Sequence, residues 1–296
     1  MRRLREAYMR ESKYEGLLAA VIAARATSFL FNKLVLASMD TFNLLAIRFL
    51  MGFFLLLVLF SRRLRHIRKE EILAGACVGL LFFLTLSSEL TALKTTASST
   101  VSLLENCSIL FVPLFEAALR SKLPDRKSML CACIALLGVF CLTAQAGAVT
   151  VGMLFGLLAA MLYAAAILLT DRVSHRDTDA LRIGIVQVGV MGALALCASF
   201  LFETPHLPTD GRQWMYIVIL AVVCTGFGFT LQPVAQSRVS AQSAGLLCAI
   251  SPAVATLLGT VVLHEQFGVL SAVGLLLILA SIVLPHVRLL RSRAAS

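Results

Sequence analysis

Ten apolar runs, each long enough to cross the hydrocarbon core of a bilayer at about 1.5 Å per residue, follow one another with only short polar connections between them. They cover roughly 16–37, 41–60, 72–93, 96–119, 127–144, 151–171, 181–202, 213–232, 240–263 and 267–287. A helix that is apolar all round has no face to offer water, so such a chain folds in lipid, each helix satisfying its own backbone. Composition agrees, since 59% of the 296 residues are hydrophobic and 14% are charged, where soluble proteins carry about a quarter. The expected fold class is all-α: a polytopic membrane protein of ten transmembrane helices, multi-pass in the cell (plasma) membrane.

The net charge of +10 belongs to the membrane surface. A nucleic-acid partner would need a basic face on a soluble domain, and every polar segment is too short to build one. Arg2, Arg3, Arg5, Arg10 and Lys13 precede the first run, Arg62 to Lys69 follow the second, and Arg120 to Lys127 follow the fourth. With Arg172, Arg176, Arg182, Arg238, Arg288, Arg291 and Arg293, this places 21 of the 26 basic residues on one side. The positive-inside rule makes that side, with both termini, cytoplasmic. The N-terminal MRRLREAYMRESKYEG is too long and too charged for a signal-peptide n-region, so the first span is expected to be retained.

The chain also repeats itself. Leu103-Leu104 aligns with Leu246-Leu247, Ser108 with Ser251 and Ala92 with Ala235 at an offset of 143, while Lys33 aligns with Arg172, Asp40 with Asp179 and Arg48 with Gln187 at 139. The expected organisation is a cytoplasmic segment at 1–15, five-helix repeats at 16–147 and 148–287, and a cytoplasmic tail at 288–296. Because five is odd, the second repeat enters from the opposite side, giving inverted topology and two related conformations, one open to each face.

Ionisable groups within the bilayer are expensive and mark candidate sites. Arg25 and Glu105 each lie about 14 Å into their spans, near the middle of the membrane, and can pair across a central cavity. Arg25, Ser28 and Asn32 share one helical face; Ser98, Ser102, Glu105 and Glu116 form a stripe on the fourth span, with Asn106 beside Glu105. The alternative is a purely structural Arg25–Glu105 pair. Lys33, Arg48 and Glu89 lie toward the outer ends of their spans, as an outer gate, an attractor for an anionic group, or surface-reaching side chains. In the second half Tyr163, Gln187 and Gln232 are the polar candidates for a cavity or for helix-to-helix bonding. Ser251-Pro252 is expected to bend its span, and the pairs Gly75/Gly79 and Gly152/Gly156 to permit close helix packing.

No Gly-x4-Gly-Lys-Ser/Thr loop, Gly-x-Ser-x-Gly elbow or His-Glu-x-x-His motif occurs, which argues against ATP hydrolysis and against a membrane hydrolase. The eight cysteines and five histidines show no metal spacing, so no cofactor or metal is expected and the chain is read as a non-enzyme. The cysteines serve as small packing residues.

Four stretches carry a family likeness: TSFLFNK (Thr27 to Lys33), Asp40 through Arg48, ALKTTASSTVSLLENCSILFVPL (Ala92 to Leu114) and AQSRVSAQSAGLLCAISPAVATLLGTVVLHE (Ala235 to Glu265). Together with the duplicated layout, they resemble the EamA-type permeases of the drug/metabolite transporter superfamily. The resemblance implies ten helices around a central cavity, cytoplasmic termini, and movement of small metabolites by alternating access. Where that pattern has Trp-Gly in the first span this chain has Arg25-Ala26, and Lys122 stands opposite Glu265 where an acid often ends the fourth span. A cation at a cavity-facing site favours an anionic or zwitterionic solute. The expected function is a secondary transporter for a small polar metabolite such as an amino acid, with the lipid bilayer and a coupling proton or ion as its other partners. In that reading Arg25 binds an anionic group, Glu105 binds an amine or carries a proton, and Asn32, Asn106, Tyr163, Gln187 and Gln232 orient the solute. A non-transporting receptor or assembly factor with structural buried charges is the alternative.

Overall fold

The computed structural model describes residues 2–119, 126–146, 149–174, 179–228, 235, 239, 247, 250–266 and 268–294. The chain folds as α1 (Arg2–Leu36), α2 (Thr41–Leu64), α3 (Lys69–Thr95), α4 (Ser98–Asn106), α5 (Ser108–Leu119), α6 (Arg126–Ala146), α7 (Val151–Ser174), α8 (Ala180–Phe202), α9 (Gly211–Ile219), α10 (Ile250–Val261) and α11 (Val269–Ala294). The described residues contain no strand. Six helical stretches are long and apolar enough to cross a membrane by length and composition: Tyr14–Leu36, Thr41–Leu64, Lys69–Thr95, Ser98–Leu119, Val151–Val173 and Ala180–Phe202. Shorter apolar helices cover Met129–Cys141, Gly211–Phe227, Ile250–Val261 and Val269–Ser281.

Two of these helices depart from regular geometry. The stretch Ser98–Leu119 is broken at Cys107, whose N–H bonds the Leu104 carbonyl at 3.0 Å and whose own carbonyl accepts from Leu110 N–H at 2.9 Å. This is a 3₁₀ tightening immediately after Glu105 and Asn106. Pro113 lies six residues further on, inside α5. The second departure is at the end of α9, which continues as a π-helical segment, Leu220–Phe227. Segments of that kind recur at functional sites because the wider turn re-aims side chains.

The largest buried cluster joins Leu44, Leu45, Phe49, Leu90, Val188 and Met191 of α2, α3 and α8, with Ile217, Leu220 and Cys224 of α9 and its continuation. Small residues let these helices meet. A Cβ on Gly75 would stand 2.7 Å from Val186 Cβ and 2.9 Å from the Ile183 carbonyl, and one on Gly79 would stand 3.0 Å from the Gln187 carbonyl. On α7, Gly156 meets Leu104 of α4 in the same way, while Gly152 faces Thr95 and Thr96. Outside this packing the bundle presents a belt of exposed apolar side chains such as Phe54, Val58, Phe140, Phe200 and Leu201, a surface suited to lipid and not to water. Pro252 lies in α10, and residues 248 and 249 just before that helix are outside the described residues.

Carboxylates close the block of α2, α3 and α8 at both ends. At one face Glu203, just past α8, accepts the Phe42 and Asn43 N–H groups at 3.0 and 2.8 Å, capping α2 across the helix pair. At the opposite face Glu71, buried in the first turn of α3, accepts from Arg68 N–H at 2.9 Å and Asp179 N–H at 3.0 Å, and meets Arg182 at 3.3 Å. Each acid satisfies helix N-terminal donors that have no partner within their own helix.

Candidate functional site

Arg48 is the anchor of the interior. It sits on α2 at 2% exposure, its Nε donating to Thr225 Oγ1 at 2.9 Å and its Nη1 to Asn32 Oδ1 at 3.1 Å. Asn32 is 0% exposed, and with its carbonyl held by the guanidinium its Nδ2 has no hydrogen-bond partner among the described residues. Thr225 belongs to the π-helical segment, so the wide turn there supplies the oxygen that orients Arg48. One residue earlier, Cys224 Sγ donates to the Ala24 carbonyl at 3.4 Å and lies 3.7 Å from Thr27 Oγ1, tying that segment to α1 beside Arg25.

Arg25 completes the set. Its guanidinium hydrogen-bonds the Tyr163 hydroxyl on α7 and interacts with the carboxylates of Glu105 on α4 and Glu89 on α3. The same fields link Glu89 to Glu105, to Arg48 and to Arg25. The aliphatic stem of Arg25 passes close to Gly228, where a Cβ would come within 2.8 Å of its Cγ. Tyr163 is held edge-on by Phe82 of α3, ring centroids 5.7 Å apart. Two arginines and two glutamates therefore converge from α1, α2, α3 and α4, with hydrogen-bonding groups from α1, α7 and the π-helical segment. Arg25, Glu105, Asn106 and Tyr163 keep partial exposure, while Arg48, Asn32 and Glu89 are buried. Asn106, at the break after α4, donates to the Ser102 carbonyl at 2.8 Å and so satisfies one of the acceptors near the helix end.

The structure redistributes the groups expected from sequence. Lys33, Arg48 and Glu89 do not form one outer trio: Arg48 and Glu89 join the interior set, while Lys33 turns away to another site. The reason is the helical phase of α1, on which Asn32 faces Arg48 and the next residue, Lys33, lies about 100° around the axis. The polar stripe of the fourth span is likewise divided. Ser98 lies at the chain's entry to α4, Ser102 is buried with no partner for its Oγ among the described residues, and Glu116 lies on α5 beyond the break. Gln187 is buried on α8, its Nε2 lacking a partner among the described residues, and its backbone carbonyl faces Gly79. Gln232 lies outside the described residues.

Lys33 serves a second polar centre, built on Glu265. This carboxylate, four residues past α10, accepts Ser98 N–H at 2.7 Å and Lys33 Nζ at 3.1 Å on Oε1. Its Oε2 accepts Ser98 Oγ at 3.0 Å, Ser99 N–H at 3.3 Å and Ser99 Oγ at 3.2 Å. Lys33 Nζ also donates to the Thr96 carbonyl at 2.7 Å. Burial alone would push the Glu265 carboxyl upward, but the Ser98 bonds and the Lys33 charge outweigh it and hold the group below the usual carboxylate range. Just before it, His264 takes a left-handed φ of 51°, which costs about 1–2 kcal/mol for a residue with a Cβ. The hydrogen bonds made by Glu265 offset that strain. Sequence reasoning missed Glu265 and Thr225 as working residues. An acid at the end of one apolar run and a lysine at the end of another was a readable signal for Glu265; a threonine among apolar neighbours gave none for Thr225.

Comparison with known proteins fits this architecture. A relative from Archaeoglobus fulgidus described as an uncharacterized transporter is 26% identical over 281 residues, covering 93% of this chain and 96% of its own length. A solved crystal structure of a protein with 20% sequence identity shares the fold with a TM-score of 0.66, covering 94% of this chain and 99% of that one. The profile of the EamA-like transporter family matches residues 14–144 and again residues 150–285. With nearly the whole chain accounted for by that profile, this protein belongs to the EamA-like transporter family.

Proposed function

We propose that this chain is a secondary transporter, a permease that moves a small polar metabolite such as an amino acid or a related compound by alternating access. The observation that supports this most is the convergence of Arg25, Arg48, Glu89 and Glu105 with Tyr163 and Asn32 in the interior of an apolar bundle. Such a set is costly in lipid unless it lines a hydrated path or a site. Arg25 offers a guanidinium fork to a carboxylate or another anionic group, with the Tyr163 hydroxyl beside it. Glu105 binds an amine or carries a coupling proton, while Arg48 is occupied by Thr225 and Asn32 and sets the field at Glu89. Asn32 Nδ2 supplies a donor to the solute, and Asn106 and Gln187 contribute further hydrogen bonds; Gln232 keeps the orienting role expected from the sequence.

In this reading the four shorter apolar helices are also spans, giving ten in two inverted five-helix repeats at 16–147 and 148–287. Both termini face the cytoplasm of a plasma-membrane protein. Rocking of the repeats exposes the charged centre to each side in turn, and a gradient or exchange supplies the energy.

The test is flux in proteoliposomes for a solute chosen by its ability to raise the melting temperature. A ligand at 100 times its dissociation constant stabilises by about 2.7 kcal/mol. Arg25→Ala and Glu105→Gln should each abolish solute-dependent flux while the protein stays monodisperse in detergent. Normal flux in both variants would remove the central site. If both charges serve packing alone, as in a receptor or assembly factor, the double replacement by apolar residues of similar volume is neutral or stabilising.

A further inference from the structure

Glu265 joins parts of the chain that are far apart in sequence. Its donors come from α1 (Lys33) and from the entry to α4 (Ser98, Ser99), 232 and 167 residues away for Lys33 and Ser98. Gly259 of α10 fits beneath this contact so closely that a Cβ there would stand 2.5 Å from Glu265 Oε2 and 2.8 Å from Ser98 Oγ. Lys33 is shared between Glu265 and the Thr96 carbonyl just past α3, so the end of α3 is joined to this centre through the lysine. One turn of α4 below Ser98 stands Ser102, fully buried, and one turn below that Glu105.

We infer that Glu265 is a clasp that closes the membrane face at which α1 ends. It joins Lys33, Ser98 and Ser99 of the first repeat to the end of α10 in the second, so this face rests shut while the clasp holds. This inference deepens the alternating-access reading and rests on it, since a clasp that bridges the repeats has a role only if they move.

The experiment is thiol labelling in sealed vesicles. In a background with the eight native cysteines replaced, Ser102→Cys reports access past the clasp to a membrane-impermeant maleimide added from the Glu265 side. Labelling should be slow in the parent and rise about tenfold or more in Glu265→Ala, the factor that loss of one charge-assisted hydrogen bond produces. Gly259→Ala, which removes no clasp group but crowds the carboxylate, should raise it as well and stands in if Glu265→Ala fails to fold. Unchanged labelling in a folded variant of either kind would overturn the clasp. Solute flux by the parent protein is read separately. Flux with unchanged labelling sinks the clasp alone, whereas raised labelling without flux keeps the clasp and removes the transport reading.

Discussion

Arg48 shows how much one side chain can decide. It is buried, its Nε and Nη1 are held by Thr225 and Asn32, and it stands in the field of Glu89 and Arg25. Removing it strands a buried glutamate near another of like charge. Arg48→Ala should therefore destabilise the protein by about 3–5 kcal/mol in reversible denaturation in detergent micelles, and pairing it with Glu89→Gln should recover most of the loss. Equal stabilities for parent and single variant would show that the charges are already hydrated. Glu265 gives a pH prediction of definite sign. A carboxylate held below its usual pKa of about 4.3 contributes stability above that value and loses it as pH falls through the folded-state pKa. Lys33 is the charged group that faces it; Ser98, Ser99 and Gly259 are neutral. The difference in melting temperature between the parent and Glu265→Gln should be full at neutral pH and shrink below about pH 4. A difference constant over that window would mean that the ion pair contributes nothing. At this scale the sequence showed which residues were anomalous for lipid, because a charge in an apolar run stands out. It did not show their partners, because helical phase decides whether Asn32 or Lys33 looks inward.

The elements were legible wherever composition alone makes them. The expected runs from 16 to 119 and from 151 to 202 coincide with six apolar helices, and the glycine pairs on α3 and α7 sit at the close approaches their spacing implied. The break at Cys107 and the π-helical turn at Leu220–Phe227 had no such signature, since both are backbone adjustments to packing and leave hydropathy unchanged. Glycine contacts give a contrast within two helices. Gly75→Ala would drive a methyl group against Val186 and against the backbone of Ile183, which cannot rotate away, and should cost about 1–3 kcal/mol. A Cβ on Gly184 of α8 would meet nothing within 4 Å, so Gly184→Ala should be neutral or stabilise by up to about 1 kcal/mol through helix propensity. Thermal melts of the two variants side by side check this; a reversed order would contradict the close approach of α3 and α8.

At the scale of the whole molecule, the contrast lies between a block fastened at both ends and a set of helices fastened at one. Glu203 and Glu71 tie α2, α3 and α8 at opposite faces, whereas Glu265 ties α1, α4 and α10 at a single face among the described residues. Lysine and arginine counts predicted an orientation, and internal offsets predicted a duplication. Neither contained the clasp, which depends on an acid in one repeat meeting a helix entry in the other. The most direct measurement is two-sided accessibility at the centre: Asn106→Cys, beside Glu105 in a background without the native cysteines, exposed to an impermeant thiol reagent from each side of sealed vesicles in separate experiments. The account predicts labelling from both faces, slower from the face of Glu265. Labelling of a folded protein from one face only, or from neither, would contradict it.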